Sequence, residues 1–197
     1  MPTTSPSRVV VVSGPSGVGK TSVMRRVYEA CRVPLVRGVS ATTRPPRPDE
    51  IDGIDYHFLS DKEFRLRIER GEFLEYCQVF VHSYWYGTLE SEVATGLNAG
   101  KWVVLEIDVQ GAAAVTQRYP DAITIFLRPS SRDVLDQRLR SRGTETEEAI
   151  RRRLAQADHE LILAGRYQYQ VINDDMDQAV REICEILTTE WEKCRDD

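Results

Sequence analysis

The chain has 197 residues, of which 29% are charged and 41% hydrophobic, with a formal net charge of -5 and a pI near 5.4. This length suits one α/β domain with insertions rather than two independent domains. The net negative charge argues against a nucleic-acid partner, because proteins that bind nucleic acids need a basic surface for the phosphates. Residues 1–7 lack the apolar core of a signal peptide, and no apolar run is long enough to span a membrane. We therefore expect a cytoplasmic protein with no membrane partner.

The first predicted element is a β-branched strand, residues 9–12, that leads into Gly14-Pro-Ser-Gly-Val-Gly19-Lys20-Thr21. The spacing G-x-x-x-x-G-K-[ST] is that of a phosphate-binding loop, and the helical pattern of residues 22–31 supplies the context that this motif requires. Glycines let backbone N–H groups surround an anion, and a helix beginning near Lys20 adds the positive end of its dipole. An ordinary glycine-rich turn is the alternative.

The motif predicts binding of a nucleoside triphosphate. Lys20 would reach the outer phosphates, and the Thr21 hydroxyl would help to hold Mg²⁺. The predicted triphosphate-binding residues of this loop are Gly14, Pro15, Ser16, Gly17, Val18, Gly19, Lys20 and Thr21.

Later strand-like runs alternate with helical patterns, at residues 102–107, 123–127 and 169–172. This alternation predicts the α/β class, as a three-layer P-loop NTPase fold with a central parallel sheet. Two stretches interrupt it: an inserted lobe with a short helix and a strand, and a helical, arginine-rich lid. The final helix could cap the core or join a partner, so monomer and homo-oligomer both stay open. Within this single domain we predict a core of residues 8–35, 95–128 and 167–197, a lobe of residues 36–94 and a lid of residues 129–166.

The inserted lobe contains the polar segment Arg44-Pro-Pro-Arg47-Pro. Two arginines three residues apart, on a stretch stiffened by prolines, can present two guanidinium groups to one phosphate. The hydroxyl of a nearby tyrosine would complete this cradle. A solvated polar loop is the alternative.

Glu75 has apolar neighbours on the predicted strand of the lobe, residues 73–80. Guanine presents N1–H and its exocyclic amine as adjacent donors, so one carboxylate can accept from both, whereas adenine offers no such pair. A buried Glu75 would therefore discriminate between bases, because the wrong base leaves its charge unpaired. A salt-bridged surface glutamate is the alternative.

Together, these motifs resemble those of bacterial-type guanylate kinases in order and spacing. The resemblance covers nearly the whole chain, and its SATTRPPR and RGTETE segments are highly specific. It implies a nucleoside monophosphate kinase of purine nucleotide metabolism that transfers the γ-phosphoryl group of ATP to GMP, giving ADP and GDP, with Mg²⁺ as cofactor. The matching segments are residues 14–21, 40–47, 55–56, 73–75, 86–88, 106–111 and 142–147.

The resemblance also implies roles for individual residues. Those around the GMP phosphate would be Ser40, Arg44, Arg47, Tyr56 and Tyr86, with Glu50 lining the same side. Those that read the guanine would be Glu75, Thr88 and Asp108. The catalytic residues would be Lys20, Arg44 and the lid arginines Arg138, Arg142 and Arg153, while Asn173 matches the segment near the adenine of ATP.

Two positions depart from the family pattern. The segment between Glu75 and Tyr86 is one residue longer than usual, and Glu106 stands where many members have aspartate. The longer side chain keeps the charge but changes the reach toward Mg²⁺, which Glu106 would hold together with Thr21, directly or through water. Neither departure removes a chemical group that phosphoryl transfer requires. No general base is needed either, since a phosphate oxygen is already a nucleophile.

Other interpretations remain open. Residues 108–111 fit the D-x-x-G motif of GTPases, although N-K-x-D is missing from the chain. A scaffold domain with this fold could bind proteins instead, or a related kinase could act on another nucleotide. The lid arginines could belong to a solvated helix face with i,i+4 pairs, which is our interpretation of Arg151 and Arg152.

The cysteines are Cys31, Cys77, Cys184 and Cys194, and they form no C-x-x-C pair. No histidine cluster lies beside them. This spacing predicts neither a zinc site nor a disulfide framework, so we expect reduced thiols.

Overall fold

The computed structural model of the chain describes residues 7–79, 84–141 and 146–196. Within these ranges strands and helices alternate along most of the chain. The strands are β1 (Val9–Ser13), β2 (Leu35–Arg37), β3 (Ser40–Thr42), β4 (His57–Phe58), β5 (Phe73–Val79), β6 (Tyr84–Leu89), β7 (Trp102–Glu106), β8 (Ile123–Arg128) and β9 (Tyr169–Ile172). The helices are α1 (Lys20–Ala30), α2 (Asp61–Glu69), α3 (Glu90–Asn98), α4 (Val109–Arg118), α5 (Arg132–Ser141), α6 (Glu147–Ile162) and α7 (Met176–Asp196), with a short 3₁₀ helix at Leu163–Arg166.

The central sheet has the strand order β2-β7-β1-β8-β9, and all its pairings are parallel. Strand β1 lies in the middle and is buried along its whole length, as its continuous run of valines predicts. Because the strands are parallel, their carboxyl ends meet at one edge, where the phosphate-binding loop follows β1. The predicted α/β class with a central parallel sheet is confirmed.

Helices cover both faces of this sheet, which makes three layers. On one face the core includes Met24 of α1 and Ile183 of α7, both fully buried. On the other face it includes Val93 of α3 and Val115 of α4. Burial of these apolar stripes fixes α1, and with it the end of the phosphate-binding loop, against the sheet.

A second, four-stranded sheet has the order β4-β3-β6-β5 and is mixed, since β4 runs parallel to β3 and the other pairs are antiparallel. Helix α2 packs on it through the buried Phe64, whose ring stacks on Phe73 with centroids 4.3 Å apart. The predicted helix and strand of the lobe are α2 and β5. Strand β2, which pairs with β7 of the central sheet, spans the boundary predicted at residue 36.

Helices α5 and α6 pack on each other through a small apolar cluster of their own, which includes Leu135, Leu139 and Leu154. Thr146 caps α6, because its side chain accepts a hydrogen bond from the N–H of Ala149. Across the described ranges, every helix is too short or too polar to cross a membrane.

Candidate active site

The loop between β1 and α1 owes its shape to glycines with positive φ: 146° at Gly14, 94° at Gly17 and 95° at Gly19. A Cβ atom at Gly14 would lie 2.0 Å from the carbonyl oxygen of Leu127, and one at Gly17 would lie 2.7 Å from Cδ2 of Leu139. The loop therefore needs glycine both for its backbone conformation and for its close approach to β8 and α5. Helix α1 begins directly after it, with no side-chain cap on its first N–H groups, which leaves them available to an anion.

Lys20 is the first residue of α1, and its ammonium group folds back to donate a hydrogen bond to the carbonyl oxygen of Gly14. Burial lowers the pKa of Lys20, and the nearby carboxylates of Glu160, Glu106 and Asp108 oppose that shift. The buried ammonium group is thus partly compensated by the negative charge of these carboxylates.

Three side chains from the far end of the chain hold the loop. The amide of Asn173 donates to the carbonyl oxygen of Val18 at 2.7 Å, and Arg138 of α5 approaches the same oxygen at 3.4 Å. Arg153 of α6 donates to Oγ of Ser16 at 2.7 Å. Two of the predicted lid arginines are therefore in direct contact with the predicted phosphate-binding loop.

In the second sheet, Arg44 lies in a partly enclosed pocket. Its guanidinium group donates to Oε1 of Glu50 at 2.8 Å and lies 5.4 Å from the ring centroid of Tyr56. Partial burial disfavours its charge, but hydrogen bonds with Glu50 and Tyr86 outweigh this and raise the pKa of Arg44. The rings of Tyr56 and Tyr86 meet edge to face at 6.0 Å. These contacts hold a permanent cation between two phenol groups, as a phosphate cradle requires.

Arg47 is placed differently. Its side chain is 74% exposed, and its guanidinium group is 3.8 Å from Glu50. Its backbone N–H donates to Oε2 of Glu50 at 2.8 Å. Burial disfavours the Glu50 charge, but the donors of Arg47 and Arg44 outweigh it and lower the pKa of Glu50. Glu50 therefore accepts hydrogen bonds from both residues, from the guanidinium group of Arg44 and from the backbone N–H of Arg47.

Glu75 of β5 is 8% exposed, and Oγ1 of Thr88 on β6 donates to its Oε1 at 2.7 Å. Burial is the main cause that raises the pKa of Glu75 to about 7, against the Thr88 hydrogen bond and with support from the charge of Asp108. On the other side, a Cβ atom at Gly111 would lie 2.7 Å from Oε2 of Glu75. Ser40 of β3 is the antiparallel register partner of Thr88, so the two lie on the same face.

Asp108 caps α4, and its Oδ1 accepts hydrogen bonds from the N–H groups of Gln110 and Gly111 at 2.9 and 2.8 Å. Its Oδ2 accepts from the thiol of Cys77 at 3.3 Å. Cys77 follows Glu75 by two residues on β5, so their side chains share a face. The predicted guanine readers Glu75, Thr88 and Asp108 thus come together from three elements.

The residues predicted to hold Mg²⁺ lie at the carboxyl edge of the central sheet. Glu106 is the last residue of β7, and its Oε1 is 3.6 Å from Nε of Arg37. Its Oε2 is buried and accepts no hydrogen bond from the described part of the chain. Thr21 lies exposed in the first turn of α1. An unpaired carboxylate oxygen and a hydroxyl fit the oxygen ligands, or the coordinated waters, that Mg²⁺ prefers.

The structure therefore brings most of the predicted site residues into two neighbouring groups. Among the described residues, no three histidine, cysteine or acidic side chains cluster as a metal site would require. Arg142 lies outside the described residues, as do residues 80–83 of the elongated segment. From sequence, Cys77 and Arg37 received no role in the site, and Gly111 was named only as the last residue of a motif. The alternation of side chains along β5 could have identified Cys77, whereas the positions of Gly111 and Arg37 beside Glu75 and Glu106 are recognised only from their contacts.

Comparison with known proteins gives consistent matches. A family model described as guanylate kinase matches residues 6–190. Proteins named guanylate kinase from Rhodopirellula baltica and Gloeobacter violaceus are 53% and 51% identical to this chain. These matches cover 94% and 93% of this chain and 89% and 88% of the relatives. A crystal structure of guanylate kinase from Anaplasma phagocytophilum superposes with a TM-score of 0.77 at 28% identity, covering 97% of this chain and 90% of that one.

Proposed function

This chain belongs to the guanylate kinase family and is an ATP:GMP phosphotransferase, and we propose that it holds ATP at residues 14–21 and GMP in the lobe of residues 36–94. The observation that carries the placement of GMP in this lobe is the buried carboxylate of Glu75. A phosphate-binding loop alone specifies only a phosphorylated ligand, whereas a buried acceptor with a hydroxyl beside it matches the donor edge of guanine.

The donor side would be organised by the loop and its lysine. Backbone N–H groups at the start of α1 face the anion, and Lys20 would leave the Gly14 carbonyl to bind the outer phosphates. Asn173 would keep the loop in place through the Val18 carbonyl, near the adenosine end of ATP.

The acceptor side would be organised by Arg44. A GMP phosphate would displace Glu50 from Arg44 and accept from Tyr56 and Tyr86, with Ser40 and Arg47 at the edge of the cradle. A phosphate brings more charge and more acceptor oxygens than one carboxylate, which favours this exchange.

Mg²⁺ would neutralise charge on the donor phosphates, and Thr21 and Oε2 of Glu106 are the groups that would hold it or its waters. The chain's own residues then have to hold donor and acceptor in line and neutralise the moving group. Arg138 and Arg153 are already at the loop, and Arg142 belongs to the same predicted set. No proton has to be removed by a side chain before the phosphate oxygen of GMP attacks.

We further propose that the lobe, residues 36–94, and the lid, residues 129–166, swing toward the core when both substrates bind. Closure would exclude water and so suppress ATP hydrolysis. X-ray scattering with and without a bisubstrate analogue tests this, since identical profiles would contradict it. We place the enzyme in the cytoplasm, with ATP and GMP as its small-molecule partners and no nucleic-acid or membrane partner, which the four free thiols and the net charge of -5 support.

The direct test is steady-state turnover with Mg·ATP and a panel of acceptors: GMP, dGMP, IMP, AMP and UMP. We expect efficient transfer to GMP and much slower transfer to AMP and UMP. Equal rates for GMP and AMP would favour a kinase for another nucleotide. Lack of turnover with every acceptor would favour a scaffold domain, and GTP hydrolysis without any acceptor would favour a GTPase.

A further inference from the structure

Two of the four cysteines lie side by side away from the active site. Cys31 is the residue that ends α1, and its N–H donates to the carbonyl oxygen of Val27 at 2.9 Å. Cys184 lies within α7, which packs along α1. Both side chains are half-buried against the same apolar core, and both line one surface cavity. A disulfide needs Cα atoms within about 7 Å of each other, which the packing of α7 along α1 favours for this pair.

The thiol pair is also accessible from outside. A surface cavity of about 320 Å³ opens at this position, and its lining includes both cysteines together with Arg32, Glu185 and Thr188. This volume is at the lower end of the range for small-molecule sites. A small reagent can therefore reach the sulfur atoms without unfolding of either helix.

We propose that Cys31 and Cys184 form an oxidisable dithiol, which a small-molecule disulfide converts into an intramolecular disulfide between α1 and α7. One cysteine thiolate attacks a sulfur of the reagent, so that a mixed disulfide forms and one small thiolate leaves. The second cysteine thiolate then attacks the protein sulfur of this mixed disulfide and releases the other small thiolate. The two cysteine protons end on the two released thiols, the protein loses two electrons, and the reagent gains them.

We expect the step in which Cys184 attacks to be slow at neutral pH. Burial, the neighbouring Cys31 thiol and the charge of Glu185 raise the pKa of Cys184 to about 12. Because only the thiolate is a nucleophile, the rate should increase as the pH rises. We therefore expect the pair to stay reduced unless disulfide reagents accumulate.

The cross-link would stabilise the fold with little effect on the chemistry. It closes a long stretch of chain, from residue 31 to residue 184, and so restricts the unfolded state. The 11-residue helix α1 separates Cys31 from Lys20 by about 16 Å, so the loop at the other end of the helix keeps its geometry.

The test treats the reduced full-length protein with glutathione disulfide at pH 7 and pH 9. We expect the intact mass to fall by two hydrogen atoms, faster at pH 9, and peptide mapping to identify the Cys31–Cys184 link. The midpoint of thermal unfolding should rise by roughly 5 °C or more and return after reduction with dithiothreitol.

The Cys31→Ser and Cys184→Ser variants each lack the second thiol, so the reaction should stop at the mixed disulfide and the protein should keep the added mass of glutathione. Cys194→Ser should still form the Cys31–Cys184 link. Peptide mapping of the parent protein gives the answer even if a variant does not fold. Mixed disulfides alone in the parent at pH 9, or a link between other cysteines, would overturn the proposal. GMP phosphorylation is measured in a separate assay, and the proposal of a Cys31–Cys184 disulfide does not depend on its result.

Discussion

The hydroxyl of Thr88 donates a 2.7 Å hydrogen bond to Oε1 of Glu75, which joins β6 to β5 inside the candidate guanine pocket. The other oxygen, Oε2, faces Gly111, where any larger residue would bring a Cβ atom to 2.7 Å. Thr88 thus fixes one oxygen of the carboxylate, and the absence of a side chain at Gly111 leaves room for the other. A fixed acceptor can discriminate between bases, because it cannot rotate away from a mismatched donor pattern.

The first prediction concerns Glu75→Gln. The amide keeps the shape of the side chain but replaces one acceptor with an NH₂ donor, which would face a donor of guanine. We expect KM for GMP to rise by about 10- to 100-fold and KM for ATP to change by less than about twofold. Steady-state kinetics with GMP and AMP measures both effects.

Glu72→Gln is the matched control, because Glu72 lies nearby but is partly exposed and pairs with Arg67 and Arg70. It should leave both KM values unchanged. If Glu75→Gln retains the full preference for GMP over AMP, Glu75 is not the residue that reads the base.

The second prediction is a pH dependence of guanine binding. Burial raises the pKa of Glu75 to about 7 from the usual 4.5, and only the ionised form accepts both guanine donors. Affinity for guanosine should therefore increase about tenfold from pH 6 to pH 8. The nucleoside is used because the phosphate of GMP titrates near pH 6 itself.

Calorimetric titration measures this affinity, and Glu75→Gln should bind guanosine weakly at every pH. The same shift has the opposite sign for stability, since the native state binds this proton more tightly than the unfolded state. The stabilising contribution is complete below about pH 4.5 and is lost as the pH rises through about 7. Equal guanosine affinity at pH 6 and pH 8 would contradict the prediction.

The parts of the fold that could be predicted from sequence are those fixed by local pattern. Strand β1 and the phosphate-binding loop follow from a valine run and a motif whose glycines have the positive φ that it requires. Strands β3 and β4 were missed because they have three and two residues. Such short strands are held by neighbours, so their own propensity carries little information.

Prediction of the site from sequence is limited in the same way. Glu75, Arg44 and Lys20 could be proposed from sequence because their residue types and neighbours suggest a chemistry. The contact between Arg153 and Ser16 joins residues 137 positions apart, and it depends on how α6 packs over the loop. Nothing local to either residue encodes that distance, so only the folded chain reveals it.

The third prediction concerns Lys20→Met, which removes the charge and keeps most of the length. If Lys20 neutralises the donor phosphates, kcat should fall by about 100-fold or more, while the dissociation constant of GMP should change by less than about twofold. Turnover and calorimetric titration with GMP measure the two quantities. Lys62→Met, at an exposed position of α2, is the control and should match the parent. Loss of GMP binding together with turnover would mean that Lys20 supports the fold of the site rather than the transfer.

The last prediction separates a lid arginine from a surface arginine on the same helix. Arg153 contacts Ser16 of the loop at 2.7 Å, whereas Arg151 has a 77% exposed side chain and pairs with Glu147 at 3.6 Å. If Arg153 stabilises the charge of the transferring group, Arg153→Met should lower kcat by about 100-fold, with KM for GMP changed by less than about threefold. Arg151→Met should keep parental kinetics, since an exposed ion pair contributes little. Thermal unfolding of both variants shows whether the helix is intact, and equal kcat values in two folded variants would remove Arg153 from the catalytic set.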